Sequence, residues 1–202
     1  MPAPVVVIGD AIVDILEEPD GSQRRFPGGA ALNTAVGLAV LGHEVTQIAA
    51  VGRDRDGFWL ERYLRDHHVR LVRSSSCDFT GRATSTRVDG EPTYRFNDAL
   101  RRRRSAPPVS ERGLVAAAAA VVVNAYPFDD AAQVDELCAS LDGAAGLRVL
   151  DPNPRPALVG DAAAYRAGFE QALGRVDLVK VSEDDLALVY GGDETEAVRR
   201  DR

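Results

Sequence analysis

"FPGGAALNTAVGLAVLG", Phe26–Gly42, is the stretch on which the reading of this chain turns. Two adjacent glycines, Gly28 and Gly29, meet an asparagine, Asn33, just as a run of small apolar residues begins. Glycine frees the backbone to take positive φ and lets another group approach closely, because no Cβ intervenes. Asn33 supplies one carbonyl acceptor and two amide donors, which suits a neutral polyol. Ala30, Ala31, Thr34 and Ala35 leave room for tight packing. Two readings are open on these residues alone. One is a glycine turn before a helix, with Asn33 capping the first turn. The other is a ligand-binding turn. Asparagine is scarce, with only Asn33, Asn97, Asn124 and Asn153 in 202 residues.

Outward from this stretch, strand and helix patterns alternate. Val5–Ile8 is a short β-branched run ended by Gly9, the pattern of a buried strand. Asp10, Ile12, Asp14 and Leu16 share one face if the chain stays extended. "EEPDGS" is a turn. Residues 30–41 predict a buried helix, 44–51 a strand, "GRDRDG" a polar turn, 58–67 an amphipathic helix and 69–72 another strand. Residues 83–96 predict a hairpin with Asp89-Gly90 as its turn. Then follow helix 114–120, strand "VVVNA", helix 130–141, strand 148–150, helix 162–173, strand 178–181 and helix 183–190. This alternation implies parallel βαβ units in a layered α/β domain. The segments 10–27 and 83–97 do not fit it and are expected to form a small separate sheet, a lid across one edge. No internal repeat or long linker divides residues 1–202.

The length supports one main domain. Hydrophobic residues make up 45% and charged residues 27%, as in an ordinary globular protein. A net charge of −7 argues against a general nucleic-acid or membrane-surface binder. No apolar run is long enough to span a bilayer, and "MPAPVVVIGD" lacks a signal-peptide pattern, so a cytoplasmic location is expected. Cys77 and Cys138 lie far apart with no C-x-x-C, which points to free buried thiols in a reducing compartment. "RRRR" at 101–104 stands alone in an acidic chain and is expected to be a solvated loop rather than a nucleic-acid contact. Of 24 basic residues only Lys180 is lysine, a compact point charge where arginine would be a rigid fork.

Neither G-x-x-x-x-G-K-[ST] nor G-x-G-x-x-G occurs, so the common phosphate-loop and dinucleotide fingerprints are missing. In "VLDPNPRPAL", Val149–Leu158, each of Asp151, Asn153 and Arg155 precedes a proline and is biased toward extended backbone. The segment predicts a stiff tongue leaving strand 148–150 at its C-terminal end, where ligands bind in open α/β sheets. "VKVSEDDLALVYGG", Val179–Gly192, predicts a helix capped by Ser182, with acids complementing its dipole.

Together, "GDAIVD" (Gly9–Asp14), the glycine–asparagine stretch followed by Gly42 and Gly52, and "VGRDRDG" (Val51–Gly57) resemble the ribokinase-like (PfkB) carbohydrate kinases. The resemblance runs in order over essentially the whole chain. It implies a ribokinase-like layered α/β fold with a mostly parallel sheet and a small β-sheet lid. By the same likeness Asp14 accepts hydrogen bonds from sugar hydroxyls, and Gly28, Gly29 and Asn33 close around the sugar. "DPNPR" is similar to the corresponding segment of fructokinase-like members and of 2-keto-3-deoxygluconate-kinase-like members, which would place Asn153 and Arg155 at the phosphoryl-transfer crevice. Ser182–Asp185 looks like the family's N/S-x-x-E element, with Asp185 one methylene shorter than the usual glutamate, so Lys180, Ser182 and Asp185 are expected near phosphate. The resemblance implies ATP and Mg²⁺ as cofactors, a sugar as partner, and, because an open sheet edge can pair with another chain, allows a homodimer through the lid.

One family element does not occur. The late G-A-G-D motif, whose aspartate is the base in the family, is not in the 202 residues. A catalytic aspartate is therefore expected beyond Arg202. The alternative is a non-catalytic sugar-binding or interaction protein derived from a truncated sugar kinase.

Overall fold

A computed structural model describes residues 4–74, 79–88 and 91–191. In chain order the elements are β1 (Val5–Gly9), β2 (Ile12–Glu17), β3 (Gln23–Gly28), α1 (Ala30–Val40), β4 (Val45–Ala49), α2 (Arg55–Asp66), β5 (Val69–Arg73), β6 (Arg82–Val88) and β7 (Glu91–Phe96). They continue with α3 (Asp98–Arg101), α4 (Arg112–Ala116), β8 (Ala120–Asn124), α5 (Ala131–Asp142), β9 (Leu147–Asp151), α6 (Ala162–Leu173), β10 (Leu178–Val179) and α7 (Glu183–Tyr190). Six strands form one parallel sheet in the order β10-β9-β8-β1-β4-β5.

The all-apolar run of β1 follows from its central place in that sheet. Val6 and Ile8 enter the core against α4, α5, α6 and α7, whereas Val5 and Val7 enter the core against α1 and α2. Both faces are covered, so alternation is lost and all five residues are buried. On the α5–α6 side Phe128 is the hub of an aromatic cluster. Its ring lies edge-on to Tyr165 at 5.5 Å and to Phe169 at 5.8 Å, the geometry favoured by ring quadrupoles.

The second sheet has the order β3-β2-β6-β7. It is mixed, because β2 pairs antiparallel with β3 and parallel with β6, while β6 and β7 form an antiparallel hairpin. The expected turn of that hairpin, Asp89-Gly90, lies outside the described residues, as does Cys77. Cys138 is a free, buried thiol. Among the described residues no helix is long and apolar enough to cross a membrane.

Several sequence expectations are corrected. "GRDRDG" is not only a turn: Asp54 caps α2 by accepting from the Gly57 N–H at 2.8 Å, so the helix begins at Arg55. Gly57 belongs in that first turn because a Cβ there would collide with the Gly52 carbonyl. The helix expected over 114–120 is instead Arg112–Ala116, and Ala120 already belongs to β8. The last strand stops at Val179.

The aromatic hub offers a direct check of the packing. Phe128→Ala is expected to lower stability by about 3–5 kcal/mol, the range for deleting a fully buried phenylalanine. Urea unfolding followed by circular dichroism measures it, and a loss below about 1 kcal/mol would contradict the packing described.

Candidate functional site

A cleft of about 690 Å³ lies between the inner face of the small sheet and the C-terminal ends of the main-sheet strands. Strand alternation decides which side chains face it. Asp14 stands opposite Phe26 on β3 and Ala83 on β6, and Leu16 opposite Ser85; all of these line the cleft. Tyr94 and Phe96 on β7 join them, whereas Arg95, one residue out of phase, turns away to pair with Glu17 at 2.9 Å.

Asp14 is half-buried, and burial pushes its carboxyl above the usual 3.8, with the positive charge of Arg155 acting against that rise. The loop after β9 thus presents a guanidinium toward the Asp14 carboxylate. The space that Asp14 occupies exists because residue 28 is glycine: a Cβ there would fall on Asp14 Oδ2. Gly29 is constrained differently. It adopts φ 104°, and a Cβ would strike the Asp10 carbonyl. That carbonyl accepts from the Leu32 N–H at 3.2 Å, tying the start of α1 to the end of β1.

Asn33 does not cap α1. Gly29 holds the cap position, no side chain caps the helix, and Asn33 is exposed along the cleft. Asn153 also lines the cleft, but its backbone is not extended as the following proline suggested; its φ is 36°. The pre-proline clash disfavours the right-handed helical region, and asparagine is among the few residues that tolerate the left-handed one. Arg155 keeps the expected extended backbone. Five of the nine candidate residues, Asp14, Gly29, Asn33, Asn153 and Arg155, therefore converge on one cavity, with Gly28 directly behind Asp14.

The other three lie apart from the residues lining this cleft. Lys180 Nζ sits 3.3 Å from Asp151 Oδ2, which also accepts from the Asn124 side-chain amide at 3.3 Å. Ser182 caps α7, and Asp185 accepts from the Ser182 backbone N–H at 2.9 Å while its own N–H donates to Ser182 Oγ at 3.1 Å. Both halves of a capping box are present. Among the described residues no group of three or more His, Cys, Asp or Glu side chains is arranged to hold a metal ion.

The floor of the cleft holds a pair that sequence reasoning missed. Asp10 Oδ1 lies 2.7 Å from Arg103 Nε, with both side chains less than 10% exposed. The tetra-arginine run is therefore not a solvated loop, because its third member is buried. Arg103 Nη1 and Nη2 also donate to the carbonyls of Leu100 and Ala125 at 3.0 and 3.1 Å, and Gln133 donates to the Arg103 carbonyl at 3.1 Å. Ala125 lines the cleft in a left-handed conformation, φ 51°, uncommon for alanine. Only the coincidence of Asp10 at a strand end with one arginine in four could have hinted at this contact, and neither residue type marks it.

Burial raises the Asp10 carboxyl above 3.8, and Arg103 holds the rise down. A carboxyl raised in the folded state stabilises most below its unfolded value, and the contribution is lost as pH climbs through the folded value. Arg103→Met removes the opposing charge and leaves a buried carboxylate unpaired. It is expected to cost about 3–5 kcal/mol near neutrality, with the loss growing as pH rises above the ordinary carboxyl value of 3.8. Adding Asp10→Asn should flatten that pH slope. Urea titrations across pH measure both, and a slope equal to that of the unaltered protein would contradict the pairing.

Comparison with known proteins identifies the family and the fold. The model of the pfkB family carbohydrate kinases matches residues 3–200. The chain is 33% identical over 200 residues to a fructokinase of Salmonella typhimurium and 30% identical over 197 residues to one of Klebsiella pneumoniae. These matches cover 94% and 93% of this chain, and the chain spans 63% of the length of each relative. A fructokinase of Xylella fastidiosa solved with bound ATP superposes with a TM-score of 0.77 at 23% identity, covering 99% of this chain and 65% of that one. The ribokinase-like fold read from the sequence is the fold observed, and a carboxylate, a glycine pair and an asparagine meet where its cleft opens. The chain belongs to the pfkB family of carbohydrate kinases.

Proposed function

We propose that this chain carries the sugar-binding part of an ATP-dependent, fructokinase-like sugar kinase. The observation that carries the reading is the lodging of the Asp14 carboxylate against Gly28 at the mouth of a cleft with Asn33, Asn153 and aromatic walls. A carboxylate accepts several hydroxyl donors, and charged acceptors make the stronger hydrogen bonds. Phe26, Tyr94 and Phe96 offer apolar surface to the C–H face of a sugar ring. The small sheet serves as the lid that excludes water from the bound sugar.

ATP would supply the phosphoryl group. Arg155, exposed at the rim, and Lys180, with 64% of its side chain exposed, are the cations suited to phosphate oxygens. Asp185 is engaged by its capping box, and Asp151 by Lys180 and Asn124. The described residues therefore offer Mg²⁺ no direct cage. The ion fits here only as a hydrated partner of the nucleotide phosphates, which is its ordinary habit.

A second reading, a non-catalytic sugar binder, is favoured by one observation. Phosphoryl transfer to a hydroxyl needs a base, and the two carboxylates of the cleft are otherwise committed. Asp10 is ion-paired to Arg103, and Asp14 is assigned to sugar hydroxyls. That reading expects D-fructose binding by residues 1–202 without ADP release in the presence of ATP, and turnover by the purified chain would refute it.

Asp14→Asn is expected to weaken D-fructose binding by about tenfold or more, the scale of a charge-assisted hydrogen bond lost. Gly28→Ala, which displaces the same carboxylate, should do likewise. Affinity should also fall on acidification from a pH above 3.8, because the Asp14 carboxyl is raised. Titration calorimetry measures all three. Unchanged affinity in both variants would remove Asp14 from the sugar site.

A further inference from the structure

The turn Val51–Gly57 resembles a family motif, yet none of its residues lines the cleft. Its second aspartate, Asp56, has a side chain only 4% exposed in the first turn of α2. One oxygen of that carboxylate, Oδ2, meets two guanidinium groups, with Arg25 Nη2 at 2.6 Å and Arg82 Nε at 2.7 Å. Arg25 belongs to β3 and Arg82 to β6, the two strands that flank β2. Arg25 adjoins Phe26 and Arg82 adjoins Ala83, and Phe26 and Ala83 are the register partners of Asp14. Alternation sends Phe26 and Ala83 into the cleft and both arginines out of the opposite face, onto α2.

The turn's other aspartate reinforces the grip. Asp54 accepts from the Thr80 hydroxyl at 2.5 Å and from its N–H at 3.0 Å, just before β6 begins. Asn97, just after β7, accepts from the Arg82 N–H at 2.9 Å and donates to the Thr80 carbonyl at 2.9 Å. The small sheet is thus clamped to α2 from behind, on both sides of the strand that carries the sugar carboxylate.

We infer that Asp56 is a positioning residue: through Arg25 and Arg82 it fixes strand β2, and with it the Asp14 carboxylate, over the cleft. The inference rests on the sugar-binding reading of Asp14. A buried carboxylate with two charged donors is strongly held, whereas Asn at the same place keeps the shape and loses the charge. Arg25 also stands 6.0 Å from the ring of Trp59, the single tryptophan of the chain, so the clamp lies beside a built-in fluorophore.

Amide hydrogen exchange and D-fructose calorimetry on the intact chain, unaltered and as Asp56→Asn, test this. The expected result is exchange about tenfold faster in β2, β3 and β6, no change in β1, β4 and β8, and D-fructose affinity lowered about tenfold. Arg82→Gln, at a site with 44% side-chain exposure, should show the same pattern more weakly and serves if Asp56→Asn does not fold. Unchanged exchange in the small sheet would overturn the inference, as would faster exchange there with unchanged sugar affinity. Faster exchange throughout the main sheet would reduce Asp56 to a general stability role and overturn it too. If the unaltered chain binds no D-fructose, the sugar-site reading fails, and the exchange result alone still decides whether Asp56 holds the sheet.

Discussion

Gly28 has no side chain, and the Asp14 carboxylate stands in the space a Cβ would take. Much of the cleft is arranged around this contact. The carboxylate can sit inside the small sheet, half-buried and facing Arg155, only because the neighbouring strand is bare at that point. The next residue, Gly29, brings the start of α1 against the Asp10 carbonyl at a φ that side chains rarely adopt. Two glycines therefore join the small sheet, the end of β1 and the first turn of α1 at one place. Asn33 follows one turn later on the same helix.

The remaining contacts explain how a cleft between two sheets keeps its shape. Its floor is fixed by Asp10 and Arg103, which draw together the end of β1, the loop after α3 and the left-handed Ala125. Its roof is fixed from outside, where Asp56 receives arginines from the strands on either side of Asp14. Buried ion pairs are weak evidence for stability, because desolvation offsets much of their attraction. Here each one joins segments distant in sequence at the edge of a cavity, which makes registry their clearest role. The cleft itself presents the Asp14 carboxylate, a second carboxylate, Asp10, that is paired with Arg103, the guanidinium of Arg155, amide groups and aromatic walls, a combination suited to a small polyol.

The fold was largely legible in the sequence because each of its signals is local. Val5–Ile8, "VVVNA" and 148–150 are short apolar runs between helical patterns, and that alternation alone implies a parallel sheet. The misplaced boundaries were also local failures: the capping role of Asp54 hid inside a segment that looked like a turn. The meeting of the candidate residues at one cleft was legible where spacing carried it, in the glycine pair, Asn33, Asp14 and the proline-flanked Asn153 and Arg155. What was not legible depends on tertiary contact. Nothing in "RRRR" distinguishes Arg103 from its neighbours, and nothing in "GRDRDG" announces that Asp56 reaches two lid strands. The backbone of Asn153 departs from extension because the proline rule excludes only the right-handed helical region and leaves the left-handed one open to asparagine.

We propose that a sugar binds between Asp14 and Asn33. A crystal structure of the chain grown with D-fructose tests it most directly. The expected result is the sugar in the cleft, with hydroxyls within hydrogen-bond distance of the Asp14 carboxylate and the Asn33 amide. A sugar bound elsewhere, or a cleft left empty at saturating D-fructose, would contradict it.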